Sequence, residues 1–293
     1  MAGNHLGNGV QSRPANDFDV RSFAKSAVGS RRALIDAAAF DDRPLAASSV
    51  RLLHYLADIE RATMQYLRGV LVTPTHKDAR VTAFLVTWAY EKYWIADTID
   101  TILAADGQPV GETPQQRGIS HTVRRLRERV SPIGHAVTAN AIGEDVIAWH
   151  MTIGTVDELF TQAAYRTLLE PGAHPALVEH VEAILATKAR HLEFFEAQAR
   201  DRLARSPRAR TITRRRIRSA AWPTGSAAAG REETAFFART VFPGGTVWSD
   251  PAVLSIDDRI DALPGQAGLH LAAGVARRGP RHGATPIEAG AAR

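Results

Sequence analysis

Glu60, Glu91, Glu158, Lys188 and His191 each stand near the middle of a long apolar stretch. A carboxylate that a fold buries must be paired, protonated or bound to a metal, because an unpaired buried charge is costly. Carboxylate and imidazole are also the ligands that suit hard divalent ions such as iron and manganese. The spacing ties the residues together. Glu60 precedes Glu91 by 31 residues, and Glu158 precedes Lys188 by 30. The first pair continues as Glu91-x-x-Trp94 and the second as Lys188-x-x-His191, so one pattern occurs twice with a different substitution in each half. Glu91 lies among Trp88, Tyr90, Tyr93 and Trp94. Tyr165 follows Glu158 by seven residues, which puts it on the same helical face.

Four helices are needed to position these residues. The first is expected to start at Ser48 and Ser49, both good N-cap types, and to run to about Val72 with apolar residues at helical spacing. The second starts near Thr75, where Asp78 three residues on resembles a capping box, and runs to about Ala105. The third covers about 141–169 and the fourth about Pro175 to Leu203, with Pro175 suited to a first turn. A short helix is expected around Ala33 to Phe40, and another in the basic segment His121 to Val130. The chain is therefore read as all-α, with two antiparallel hairpins joined by a long crossover over 106–140. An N-terminal arm (1–44) precedes the bundle (45–205). A C-terminal extension (206–276), expected to pack on the bundle or a partner, and a disordered tail (277–293) follow it.

This pattern resembles the ferritin-like diiron-carboxylate superfamily, which has one Glu and then Glu-x-x-His in each half. The segment from Lys188 to Phe195, KARHLEFF, is similar to the family's fourth-helix segment, and the resemblance spans about residues 48–203. It implies a ferritin-like four-helix bundle with Glu60, Glu91, Glu158 and His191 as metal ligands. Trp94 stands where the family has its first histidine and is expected to fill that space. Lys188 stands where it has a bridging glutamate, and is expected to pair with Glu60 or Glu91. The implied activity is that of an oxidoreductase descended from diiron enzymes, with Lys188 and Tyr165 as catalytic candidates and a small apolar substrate. Three glutamates and one lysine leave a charge of minus two, which a single divalent ion cancels. The expected cofactor is thus one iron or manganese ion on Glu91, Glu158 and His191, or none. Two other readings stand beside it: a metal-free binding or assembly protein, and an RNA-acting hydroxylase, since the superfamily includes a tRNA hydroxylase.

Composition narrows the classes. The chain has no cysteine, which excludes disulfides and thiolate metal sites. Its N-terminus does not read as a signal peptide and no stretch is apolar enough to span a membrane, so a cytoplasmic location is expected. The net charge is +5, and seven arginines fall between Arg205 and Arg218. With no aromatic residues interleaved, that run reads as a solvated linker, and nucleic acid is the less favoured partner. A homodimer is compatible with the sequence.

Overall fold

The structure, a computed structural model, describes residues 17–110, 142–244 and 247–278, and all regular elements among them are helical. The expected helix at His121 to Val130 and most of the crossover lie outside the described residues. Two short helices, α1 (Val20–Lys25) and α2 (Ala38–Asp42), lead into the long helices α3 (Ala47–Leu71) and α4 (Ala79–Ala105). After the crossover come α5 (Asp145–Thr167) and α6 (Pro175–Arg205). The chain then adds α7 (Pro207–Ser219), α8 (Ser226–Val241), α9 (Pro251–Asp261) and α10 (Leu271–Ala276).

Short connections force α3 against α4 and α5 against α6 as antiparallel pairs, and these are the most extensive helix contacts. The pairs join through α4 with α6 and α3 with α5. Apolar side chains fill two clusters. One holds Leu52, Leu56, Ile99, Phe160 and Leu192, and the other holds Leu67, Phe84, Trp88, Met151 and Phe195. Glu60, Glu91, Glu158, Lys188 and His191 are all buried at the seam between them.

Several expected boundaries move. Helix α3 is preceded by Ala46, which offers no side-chain cap, so Ser48 and Ser49 lie inside its first turn rather than before it. Asp78, not Thr75, caps α4, accepting a hydrogen bond from the Val81 N–H at 2.9 Å. Thr75 sits one element earlier, in the 3-10 turn Pro74–Lys77, with its hydroxyl 2.8 Å from His150 Nδ1. The helix expected at Ala33 to Phe40 is broken into a 3-10 turn at Arg32–Leu34 and α2.

The largest correction concerns Arg205 to Arg218, which form no linker. Arg205 ends α6, and from Ser206 as N-cap and Pro207 at the first position the rest build α7. Ala209, Thr213 and Ile217, one turn apart each, are buried on the side that meets α5 and α6. The later helices wrap the same bundle. Helix α8 meets α3 and α5, with the Tyr55 and Phe237 rings 5.1 Å apart, and Trp222 stacks on Phe160 at 5.9 Å. Helix α9 rests on α5, and Asp257 accepts the Ala272 and Ala273 N–H groups at the start of α10. No helix among the described residues is long and apolar enough to cross a membrane.

Two glycines test the packing. A Cβ on Gly154 in α5 would lie 2.3 Å from the Phe195 ring of α6, whereas one on Gly69 in α3 would meet nothing within 4 Å. Gly154→Ala is therefore expected to destabilise the fold by about 1–3 kcal/mol through overpacking. Gly69→Ala should stabilise it by about 0.5–1 kcal/mol through helix propensity. Urea denaturation of both variants gives the signs.

Candidate functional site: an ion-paired layer across the bundle

Each long helix supplies charge to one layer. From α3, Glu60 accepts hydrogen bonds at Oε1 from Tyr165 Oη (3.0 Å) and Lys188 Nζ (3.1 Å). Its Oε2 lies 2.7 Å from Lys92 Nζ, an ion pair whose angles fall outside hydrogen-bond geometry. From α5, Glu158 accepts a hydrogen bond from Trp88 Nε1 at 3.1 Å and pairs with Lys188 Nζ at 2.9 Å. Lys92 Nζ also faces Asp157 (3.6 Å) and Glu158 (3.7 Å). Two ammonium groups thus sit among three carboxylates, with Lys92 above the Trp88 ring and Lys188 above the Tyr165 ring.

Glu91 forms the other half of the layer. Its Oε2 is 2.7 Å from His191 Nε2, and its Oε1 accepts from Arg190 Nη2 (2.5 Å) and from the Val28 N–H (2.8 Å). His191 Nδ1 lies 3.6 Å from Glu158, which links the halves. The N-terminal arm closes this side. Phe23 stands edge-on to His191, and Arg190 reaches the Ser26 hydroxyl at 3.0 Å. Trp94 is half-buried, edge-on to Tyr90 and Tyr93. With Glu91 it lines a void of about 10 Å³ bounded by the arm, α4 and α6, without a contribution from α3.

The charges follow from these neighbours. Burial alone would raise the Glu60 and Glu158 carboxyls. Lys188 and Lys92 outweigh it, holding Glu60 below the usual range and Glu158 well below it. Burial would lower the Lys92 ammonium, but Glu60, Glu158 and Asp157 more than reverse that and raise it. Asp157 is pushed up by burial, which Lys92 only partly offsets. Burial first, then Glu60, raises the Tyr165 phenol well above its ordinary value.

The structure therefore brings together all the residues singled out from the sequence: Glu60, Glu91, Glu158, Tyr165, Lys188 and His191. It adds three that the sequence reading passed over, namely Lys92, Asp157 and Arg190. The charge of minus two expected for the site is corrected accordingly. Four carboxylates (Glu60, Glu91, Asp157, Glu158) face three permanent cations (Lys92, Lys188, Arg190), which leaves minus one with neutral His191 and zero with His191 protonated. Lys188 pairs with Glu60 and Glu158, and Glu91 goes to Arg190 and His191 instead. His180 and His150 stand apart from the layer, His150 on Thr75 and His180 with its Nδ1 unpartnered.

A metal ion does not fit this donor set. The oxygens of Glu60, Glu91 and Glu158 are already turned toward ammonium, guanidinium, indole or amide groups. A divalent ion would add positive charge to a buried layer that its own side chains bring within one charge of neutrality. Among the described residues no group of three or more His, Asp and Glu side chains is arranged to hold a metal.

Removing either lysine leaves three carboxylates of the layer sharing one ammonium, so Lys92→Met and Lys188→Met are each expected to cost about 3–5 kcal/mol in chemical denaturation. Acid should act in the same direction. The lowered carboxyls of Glu60 and Glu158 contribute stability that is present above their ordinary value of 4.5 and is lost as pH falls through their folded values. The raised Asp157 opposes this in part. The raised Lys92 keeps its contribution until pH exceeds its ordinary 10.5. A denaturation midpoint that rose on acidification below pH 4.5 would contradict this account of the layer.

Comparison with known proteins adds no relative: no family model, no curated protein and no solved structure matches this chain.

Proposed function

We propose that this chain is a metal-independent member of the ferritin-like architecture, a binding or assembly protein in which lysine ammonium groups do the structural work of metal ions. The observation that carries the proposal is the position of Lys92 and Lys188, two buried cations between Glu60 and Glu158. The adjacency of α3 with α5 and of α4 with α6, together with the two hairpins, supports ferritin-like connectivity through a crossover.

The oxidoreductase reading draws less support. Catalysis at the layer would need an open position and a route for substrate. The void beside Glu91, about 10 Å³, holds one water at most. The arm seals that side through Val28, Ser26 and Phe23. Lys188 and Tyr165, the catalytic candidates, both spend their donors on Glu60. Their roles are then positional: they neutralise and orient a carboxylate that holds α3 against α5 and α6.

Protein loaded with iron or manganese and then freed of excess metal by gel filtration is expected to retain far less than one ion per chain. Its melting temperature should not change when a strong chelator is added. One firmly bound ion per chain, with a melting temperature that falls on chelation, would overturn the proposal in favour of the single-metal enzyme.

A further inference from the structure

Helix α7 has no part in the ion-paired layer, yet six of its thirteen residues are arginines. Arg210, Arg214 and Arg218 form one ridge, about 6 Å apart along the axis by helix rise, and Thr211, Arg215 and Ser219 form the next. With Pro207 and Gly265 these residues line an open groove of about 840 Å³ between α7 and the turn joining α9 to α10. The wall is fixed. Arg214 donates to the carbonyls of Gly265 (3.2 Å) and Ala267 (2.8 Å), and the side-chain amide of buried Gln266 donates to the Arg210 carbonyl. The acidic groups near this stretch go to its first two arginines, Asp201 to Arg205 and Asp145 to Arg208. Among the described residues no carboxylate is within ion-pair reach of Arg210, Arg215 or Arg218.

Several uncompensated guanidinium groups held in line on a packed helix repel one another and attract a line of negative charge. We propose that the α7 groove binds the sugar-phosphate backbone of a nucleic-acid duplex. The lining argues against other polyanions. No large apolar side chain is present to anchor a protein interface. No aromatic ring is present on which the bases of a single strand could stack. With no large apolar side chain on this face, nothing inserts into a bilayer either. The Thr211 and Ser219 hydroxyls already donate to backbone carbonyls, at 3.2 and 3.0 Å, which leaves the guanidinium groups as the donors. Such groups fix position on a backbone without reading sequence. The expectation against nucleic acid rested on a solvated linker, and α7, with one face buried, removes that premise.

The test is salt-dependent binding of a fluorescent duplex of about 20 base pairs to the full chain, followed by anisotropy. Arg210→Gln, Arg215→Gln and Arg218→Gln combined should weaken binding at least tenfold at low salt. The slope of log affinity against log salt should also flatten, by about 0.9 for every phosphate that the variant no longer neutralises. Arg214 is left in place because it holds the wall. A control variant loses the same charge at exposed Lys25, Arg68 and Lys77, each changed to Gln, and should bind within about twofold of the parent. Should the triple variant fail to fold, Arg215→Gln alone, at an exposed position, should flatten the slope by about 0.9. Absence of duplex binding at low salt, equal weakening in the control, or stronger retention on phosphatidylserine vesicles than on the duplex would each overturn the proposal.

Discussion

Carboxylates at the centre of a helix bundle cannot be solvated there, and every one that stays ionised calls for a counter-charge within a few ångströms. In this protein the counter-charges are covalently part of the chain. Lys92 comes from α4 and Lys188 from α6, and they meet Glu60 from α3 and Asp157 and Glu158 from α5. Each pair crosses a helix boundary. Sliding one helix by a single turn would displace its charge by about 5.4 Å and leave an unpaired ion in a dry interior. The apolar clusters above and below would tolerate such a slip far better, since leucine against leucine carries little register information. The layer therefore selects the vertical alignment of four helices that the apolar residues alone would leave loosely defined.

The outer helices answer to the same arrangement. Helix α5 is buried almost all round, covered by α3, α6, α7, α8 and α9. That enclosure puts Glu158 beyond reach of water and makes its pairing with Lys188 obligatory. The N-terminal arm serves Glu91 in a similar way. Val28 donates a backbone N–H to the carboxylate, and Phe18 and Phe23 pack on Phe84 and Phe194 to hold the arm in place. The arm is thus part of how a buried glutamate is satisfied.

The convergence of Glu60, Glu91, Glu158, Lys188 and His191 was legible in the sequence because spacing of about thirty residues, repeated in two hairpins, fixes height along a bundle. Lys92 was missed through its adjacency to Glu91. Val81, Leu85, Trp88, Lys92, Ile95 and Ile99 form one buried stripe at alternating steps of four and three, beside the face that carries Glu91. A lysine on such a stripe is as strong a sign of a buried partner as a glutamate. Helix α7 was legible too, in Ser206 followed by Pro207 and in the four-residue step from Ala209 to Thr213 to Ile217, but seven arginines masked so narrow an apolar face. Arg190 had no local signal. Its role depends on where the arm lies, and that is a tertiary fact.

An ammonium in place of an ion changes what such a layer can do. A divalent ion offers exchangeable positions and, if it is iron or manganese, a change of oxidation state. A lysine offers a single charge on a fixed tether, held here among the carboxylates it neutralises. Two lysines and an arginine therefore make a layer whose counter-charges are in place once the chain folds. On the proposed reading, recognition then has to happen at the surface, where charge is still uncompensated. The uncompensated cations of α7 lie on the helix whose buried face, Ala209, Thr213 and Ile217, packs toward α5 and α6, the two helices that carry Glu158 and Lys188. On that reading the arginines keep their spacing because α7 is a helix packed along one face on the two helices that carry the layer.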